Sequence, residues 1–202
     1  MAKPILDVCC GSKMFYFDKD NPNVEFCDIR VLDKTEYYPG RYIEINPDTV
    51  CDFTNLPFED NSFHLVVFDP PHLEYAGDTS IMALKYGKLK GDWKAMLRAG
   101  FDECMRVLKP NGVLIFKWSE IQFPLSEILP LFSQQPLFGN RCRKRGNKTH
   151  WLCFMKFNEK AESENDCFAP EKDNPYPLCV GRGLPECAEC QVRADWEPKG
   201  LT

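Results

Sequence analysis

Short apolar runs that stop on an acid recur through residues 1–157 of this chain. Residues 5–9 form a short apolar strand with Asp7 inside it and Cys10-Gly11-Ser12 after it. Residues 24–27 form a second, closed by Asp28, and residues 49–51 a weaker third, closed by Asp52. Phe63-His64-Leu65-Val66-Val67-Phe68 is a strong buried strand, closed by Asp69-Pro70-Pro71. Between residues 93 and 108, Met96, Leu97, Phe101, Cys104, Met105 and Leu108 recur at spacings of three and four, which predicts a helix. Lys109-Pro110-Asn111-Gly112 ends it. Residues 113–118 read as the next strand, 126–132 as a short helix, and 138–157 as two strands around a basic turn. Strands alternating with helical stretches predict an α/β fold with a mostly parallel sheet. In open sheets of that kind ligands bind outside the carboxyl ends of the strands, which is where these acids fall.

Composition narrows the class. Of 202 residues, 44% are hydrophobic and 27% charged, a globular balance that excludes a wholly disordered or collagen-like chain. No apolar run approaches the roughly 18 residues of a membrane span, and Asp7 interrupts the N-terminus before a signal-peptide core can form. A soluble, cytoplasmic protein without membrane contact is therefore expected. The net charge of −5 leaves no global basic field, so any contact with nucleic acid must be local.

Residues 158–166 are almost wholly polar and read as a linker. Residues 167–202 are rich in Cys, Pro, Gly and acid, with too few aliphatics for a core of their own. An odd total of eleven cysteines argues against a disulfide scaffold. Cys9, Cys10, Cys27, Cys51, Cys104, Cys142 and Cys153 lie among apolar residues and read as small buried hydrophobes. Cys167, Cys179, Cys187 and Cys190 cluster in the tail and supply the four thiols of a tetrahedral zinc site, Cys187 and Cys190 at knuckle spacing. An iron–sulfur cluster and unligated thiols are the alternatives.

The motifs of residues 5–157 resemble those of the class I S-adenosylmethionine-dependent methyltransferases. Ile5-Leu6-Asp7-Val8-Cys9-Cys10-Gly11-Ser12 is similar to the family's first motif, with Lys13 where a second glycine is usual. Cys51-Asp52-Phe53, followed by Leu56-Pro57-Phe58 and Asp60-Asn61-Ser62-Phe63, is similar to the third-strand motif. Arg106-Val107-Leu108-Lys109-Pro110-Asn111-Gly112 resembles the turn before the fifth strand. Asp69-Pro70-Pro71-His72 resembles the Asp-Pro-Pro-aromatic motif of the DNA amino-methyltransferases, with His72 in the aromatic position. The resemblance implies a Rossmann-like three-layer fold with a C-terminal antiparallel hairpin, here followed by the small Cys-rich tail. It implies S-adenosylmethionine as cofactor and an exocyclic amine of a nucleic-acid base as acceptor, adenine N6 before cytosine N4 and DNA before RNA.

By the same resemblance, Asp7, Cys10 and Gly11 hold the methionine end of the cofactor. Asp28 lies about 20 residues beyond the first motif, the spacing at which dinucleotide folds place an acid on ribose hydroxyls. Ile29 packs on the adenine, Asp52 accepts from its amine, and Phe53 offers an apolar face. An ordinary turn, a capping Asp52 and a core Phe53 are the structural alternatives. Asp69 and a carbonyl of the Pro70-Pro71 turn accept the two protons of the target amine, and His72 stacks on a flipped base.

Two further stretches bear on the acceptor. Residues 73–92, with Tyr75, Lys85, Tyr86, Lys88 and Lys90, read as a long loop, either one that closes over the target base or a mobile surface loop. The turn with Arg141, Arg143, Lys144, Arg145 and Lys148 is the densest basic patch, suited to a phosphate backbone or to simple solvation. Nothing leaves room for a large target-recognition domain, so a protein partner for recognition is expected. Two rival readings stand beside this one. They are a methyltransferase for a protein side-chain amide or small molecule, and a non-catalytic zinc-containing module on a vestigial fold.

Overall fold

Residues 2–77, 80–140 and 148–157 are described by the computed structural model. Along the chain they form β1 (Ile5–Asp7), β2 (Val24–Asp28), β3 (Leu32–Tyr38), β4 (Arg41–Ile45), β5 (Thr49–Val50) and β6 (Phe63–Phe68). Then follow α1 (Ile81–Tyr86), α2 (Trp93–Val107), β7 (Leu108–Ser119), α3 (Leu125–Ile128) with a 3-10 turn (Leu129–Leu131), β8 (Phe138–Gly139) and β9 (Thr149–Met155). The linker at 158–166, the tail at 167–202 with Cys167, Cys179, Cys187 and Cys190, and the basic turn up to residue 147 lie outside the described residues.

Seven strands form one sheet in the order β5-β2-β1-β6-β7-β9-β8. β1 is parallel to both β2 and β6, pairing Ile5 with Val24 on one side and with Leu65 on the other. β6 and β7 continue the parallel run, and β9 turns back antiparallel to β7, pairing Lys117 with Trp151. This is a Rossmann-like α/β sheet with a C-terminal antiparallel hairpin. The strand order reverses at β1, so the crevice between the carboxyl ends of β1 and β6 is the switch point where such sheets take ligands.

α2 covers one face for reasons legible in its sequence. Asp92 caps it by accepting from Ala95 N at 3.1 Å. Trp93, Leu97, Phe101, Cys104 and Val107 then repeat on one buried stripe. Phe101 stacks on Phe132 at 4.3 Å and meets Phe154 edge-on at 5.1 Å. Gly100 lies where a methyl group would come within 2.5 Å of the Phe53 ring, so its hydrogen is what lets Phe53 and Phe68 pack there.

The connection from β1 to β2 contains no helix. Turns carry it, with Cys10 N donating to Cys27 O at 2.7 Å and Lys13 N to Cys10 O at 2.8 Å. Phe15, Tyr16 and Phe26 make the aromatic packing that covers this side. A second departure from the sequence expectation is the hairpin β3–β4, a separate two-stranded sheet inserted between β2 and β5. Ile43 and Ile45 are buried and anchor it. No described helix is long and apolar enough to cross a membrane.

Candidate active site

A cavity of about 280 Å³ opens at the switch point. Cys10, Gly11, Asp28, Ile29, Asp52, Phe53, Asp69, Pro70 and Pro71 line it, so residues far apart in the chain meet there. Gly11 has φ +50°, a left-handed conformation that glycine adopts at little cost, and its N–H donates to Asp28 Oδ2 at 2.9 Å. Lys13 is also left-handed, at φ +53°. Its side chain turns away from the cavity to lie over the Phe26 ring at 4.0 Å.

Asp28 is already fully engaged. Oδ1 accepts from Arg30 N at 2.9 Å and from Arg30 Nε at 3.0 Å. Oδ2 accepts from Gly11 N and, at 3.1 Å, from Arg30 Nη2. A carboxylate offers about four acceptor positions, and all are used. Arg30 Nη1 reaches further, to Leu84 O of α1 at 3.2 Å. A ribose can reach Asp28 only by displacing Arg30.

Asp52 caps its own turn through Thr54, whose N and Oγ1 both lie 2.9 Å from Asp52 Oδ1, while still facing the cavity. Phe53 is buried and packs edge-on to Phe68 at 5.2 Å, so the core role and the cavity role coexist. Arg106 pins this loop to α2. It pairs with Glu103 and Asp60 at 2.7 Å each and donates to Phe58 O and Leu56 O at 2.9 and 3.1 Å.

Three acids converge at the cavity, Asp28 and Asp69 in its wall and Asp7 close to both but not lining it. Asp7 is wholly buried; its Oδ1 accepts from Cys9 N at 3.1 Å and its Oδ2 has no partner. The Tyr16 hydroxyl faces it short of hydrogen-bond geometry and is likewise unpartnered. Burial, with Asp69 and Asp28 adding their charges, pushes Asp7 up to about 7, against the opposing Cys9 N–H. Burial also raises Asp69, and Lys117 opposes that rise.

Lys117 was not anticipated from the sequence. It is the one charged residue in the strand Leu114-Ile115-Phe116-Lys117-Trp118, and an isolated charge in a buried strand is the signal that marks it. Its ammonium pairs with Asp69 Oδ2 and lies over the rings of Phe15 and Trp151, at 5.3 and 5.5 Å from their centroids. Asp69 itself lines the cavity. The thiols of Cys9, Cys10 and Cys104 are pushed up by burial and stay protonated, as small buried hydrophobes would.

His72 does not line the cavity, which corrects the expectation that it offers a stacking face. It is buried, packed 5.2 Å from Tyr86 and 6.3 Å from Trp118. Burial lowers it to about 4, with Lys117 adding to the effect and the Pro70 carbonyl opposing it. The aromatics at the cavity wall are Phe15, Phe53 and Tyr86, the last at the end of α1. The loop at 73–92 does reach the site, since Lys85, Tyr86, Gly87, Lys88 and Lys90 all line it. Gly87 permits this contact, because a methyl group there would press on Pro71 at 3.2 Å. Of the basic turn, Lys148 is described, and it pairs with Glu120 at 3.3 Å. Among the described residues no group of three or more His, Cys, Asp or Glu side chains is arranged to hold a metal ion.

No family model matches the sequence, and no curated protein matches it. Solved structures do. The PH0226 protein from Pyrococcus horikoshii OT3 is 20% identical, over 75% of this chain and 81% of that one, with a TM-score of 0.43. The [4+2]-cyclase SpnF is 16% identical, over 57% of this chain and 38% of that one, with a TM-score of 0.28. The antibiotic-resistance methyltransferase Kmr is 14% identical, over 77% and 88%, with a TM-score of 0.36. What identifies the fold of this chain is its own strand order, reversed at β1 and closed by an antiparallel hairpin.

Proposed function

We propose that this chain is a class I S-adenosylmethionine-dependent methyltransferase acting on an exocyclic amine of a nucleic-acid base, adenine N6 before cytosine N4 and DNA before RNA. The observation that carries the reading is one shared cavity. Asp69, Pro70 and Pro71 at the end of β6 face the same space as the Gly11 loop and the acid-bearing ends of β2 and β5.

The residues present fit the cofactor. Asp7 Oδ2 is an orphaned buried acceptor, and Asp7, Asp28 and Asp69 interact through space with, among the described residues, only Arg30 and Lys117 as direct counter-charges. Such a site favours a ligand that brings positive charge, as a sulfonium with an α-ammonium does. Gly11, Cys10 and Asp7 would hold its amino-acid end, Asp28 its ribose once Arg30 moves aside, and Ile29, Asp52 and Phe53 its adenine. Bound there, the cofactor supplies an electrophilic methyl group.

The chain's own residues then act on the acceptor. The lone pair of an exocyclic amine is delocalised into its ring, which makes it a poor nucleophile. Asp69 Oδ1 accepts one amine proton, and a carbonyl of the Pro70-Pro71 turn accepts the other. These two hydrogen bonds hold the nitrogen in a more tetrahedral geometry and free its lone pair. The prolines fix the turn and carry no N–H to compete. Lys117 fixes the Asp69 carboxylate through Oδ2 and offsets part of its buried charge. Tyr86, supported from behind by His72, supplies the aromatic face for the base.

The test is incubation of the full chain with methyl-labelled cofactor and DNA, RNA or protein, followed by mass spectrometry of released nucleosides. Label in N6-methyldeoxyadenosine is expected. Label confined to protein or to a small molecule would overturn the acceptor, and no transfer to any acceptor would overturn the activity.

A further inference from the structure

A second cavity, of about 500 Å³, adjoins the first and shares Gly11, Ser12, Met14 and Lys85 with it. It lies between the Gly11 loop and the inserted hairpin β3–β4. Its wall carries four lysines, Lys13, Lys19, Lys34 and Lys85, against two acids, Asp20 and Glu44, in a chain whose net charge is −5. The lysines rest on backbone oxygens and rings. Lys13 Nζ lies 3.1 Å from Lys19 O and Lys19 Nζ 3.2 Å from Ser12 O. Lys34 lies over Tyr42 at 5.2 Å and Lys85 over Tyr37 at 4.7 Å. Tyr42 is 54% exposed, and on the same hairpin Tyr38, beneath Arg41 at 5.8 Å, is 60% exposed.

We propose that this groove binds the strand flanking the target nucleotide, as single-stranded nucleic acid, with the lysines on its phosphates and Tyr37 and Tyr42 on its bases. The proposal rests on the nucleic-acid reading of the active site. Ammonium groups without carboxylate partners among the described residues, set beside partly exposed tyrosine rings, are the pairing that binds single strands without reading sequence. A duplex keeps its bases stacked and offers none to the tyrosines, whereas a single strand does. Continuity at Gly11, Ser12 and Lys85 lets a strand lying in the groove place its next nucleotide in the catalytic cavity. The hairpin therefore serves as a recognition element beside the catalytic cavity.

Fluorescence anisotropy of a labelled single-stranded oligonucleotide with the full chain, across a salt series, tests this. Lys19, Lys34 and Tyr42 are exposed, so their variants keep the fold, which a thermal melt verifies. The double variant Lys19→Ala with Lys34→Ala is expected to reduce the slope of log affinity against log salt by about 1.4, at about 0.7 per phosphate contact. Tyr42→Ala is expected to weaken binding about tenfold, the loss of one base–ring stack, with the slope unchanged. A duplex of the same sequence should bind more weakly. No binding by the wild type, a wild-type slope in the double variant, or equal competition by polyglutamate would overturn the proposal, the last by making the groove a site for acidic peptides. Calorimetry with S-adenosylmethionine on the same samples judges the methyltransferase reading separately. Cofactor binding without strand binding removes only the groove, and strand binding without cofactor binding removes only the methyltransferase.

Discussion

Asp7 is a buried acid whose charge has a measurable cost to the fold. In the unfolded chain it titrates near its ordinary 3.8, and in the folded one it is held at about 7 by burial and by its acidic neighbours. Between those values the folded state holds the extra proton, so Asp7 makes the protein less stable as pH rises from about 4 through about 7. At about 1.4 kcal/mol per pH unit, the full effect is about 4 kcal/mol above pH 7, an upper figure because neighbouring groups relax. Asp7→Asn removes the charge. Its amide oxygen can still accept from Cys9 N. The variant should therefore match the wild type near pH 4 and exceed it by up to about 4 kcal/mol at pH 8, roughly 10 °C in Tm for a chain of this size. His72, held at about 4, titrates in the opposite sense and gains stability as pH rises from about 4 to 6.5. The wild-type profile alone mixes the two, and the difference between variant and wild type isolates Asp7. Urea unfolding of both proteins at pH 4, 6 and 8 is the assay. An Asp7→Asn variant no more stable than the wild type at pH 8 would refute the reasoning. The same change should weaken S-adenosylmethionine, because the charge that strains the fold is the one a cationic ligand relieves.

Arg30→Ala frees the Asp28 carboxylate, so calorimetry should show S-adenosylmethionine binding tighter by about tenfold, close to one charge-assisted hydrogen bond; weaker binding would make Arg30 part of the cofactor site. Lys117→Met removes the counter-charge of Asp69, so the acid limb of the methyl-transfer pH profile should move up and kcat fall about a hundredfold, with Lys117→Arg recovering part of both. An unchanged pH profile in Lys117→Met would leave the ion pair without a part in the reaction. Gly100→Ala drives a methyl group into Phe53 and Phe68, which should cost about 1–3 kcal/mol in urea unfolding; a neutral result would mean that the α2–sheet contact is looser than its geometry.

Strand identities, the α2 stripe and the acids at strand ends follow from local rules, because hydrophobic periodicity and Gly or Pro punctuation act over a few residues. Gly11, Asp28, Asp52 and Asp69 were legible for that reason, and the sheet puts all four on one cavity. The hairpin β3–β4 also had a local signal, Pro39-Gly40 between Tyr37-Tyr38 and Arg41-Tyr42-Ile43, but nothing local says that it forms a sheet apart from the main one. Pairing decided the rest. Asp69 and Lys117 are 48 positions apart and meet only because β6 and β7 run side by side in register. Arg30 occupies Asp28 because the chain turns sharply after β2, and Arg30 then reaches the α1 segment 54 positions on. His72 satisfies the aromatic position of its motif in sequence, yet Tyr86 and Trp118 enclose it. A motif specifies which side chain stands at a position, whereas the packing of distant elements determines which of its faces remains open to a ligand.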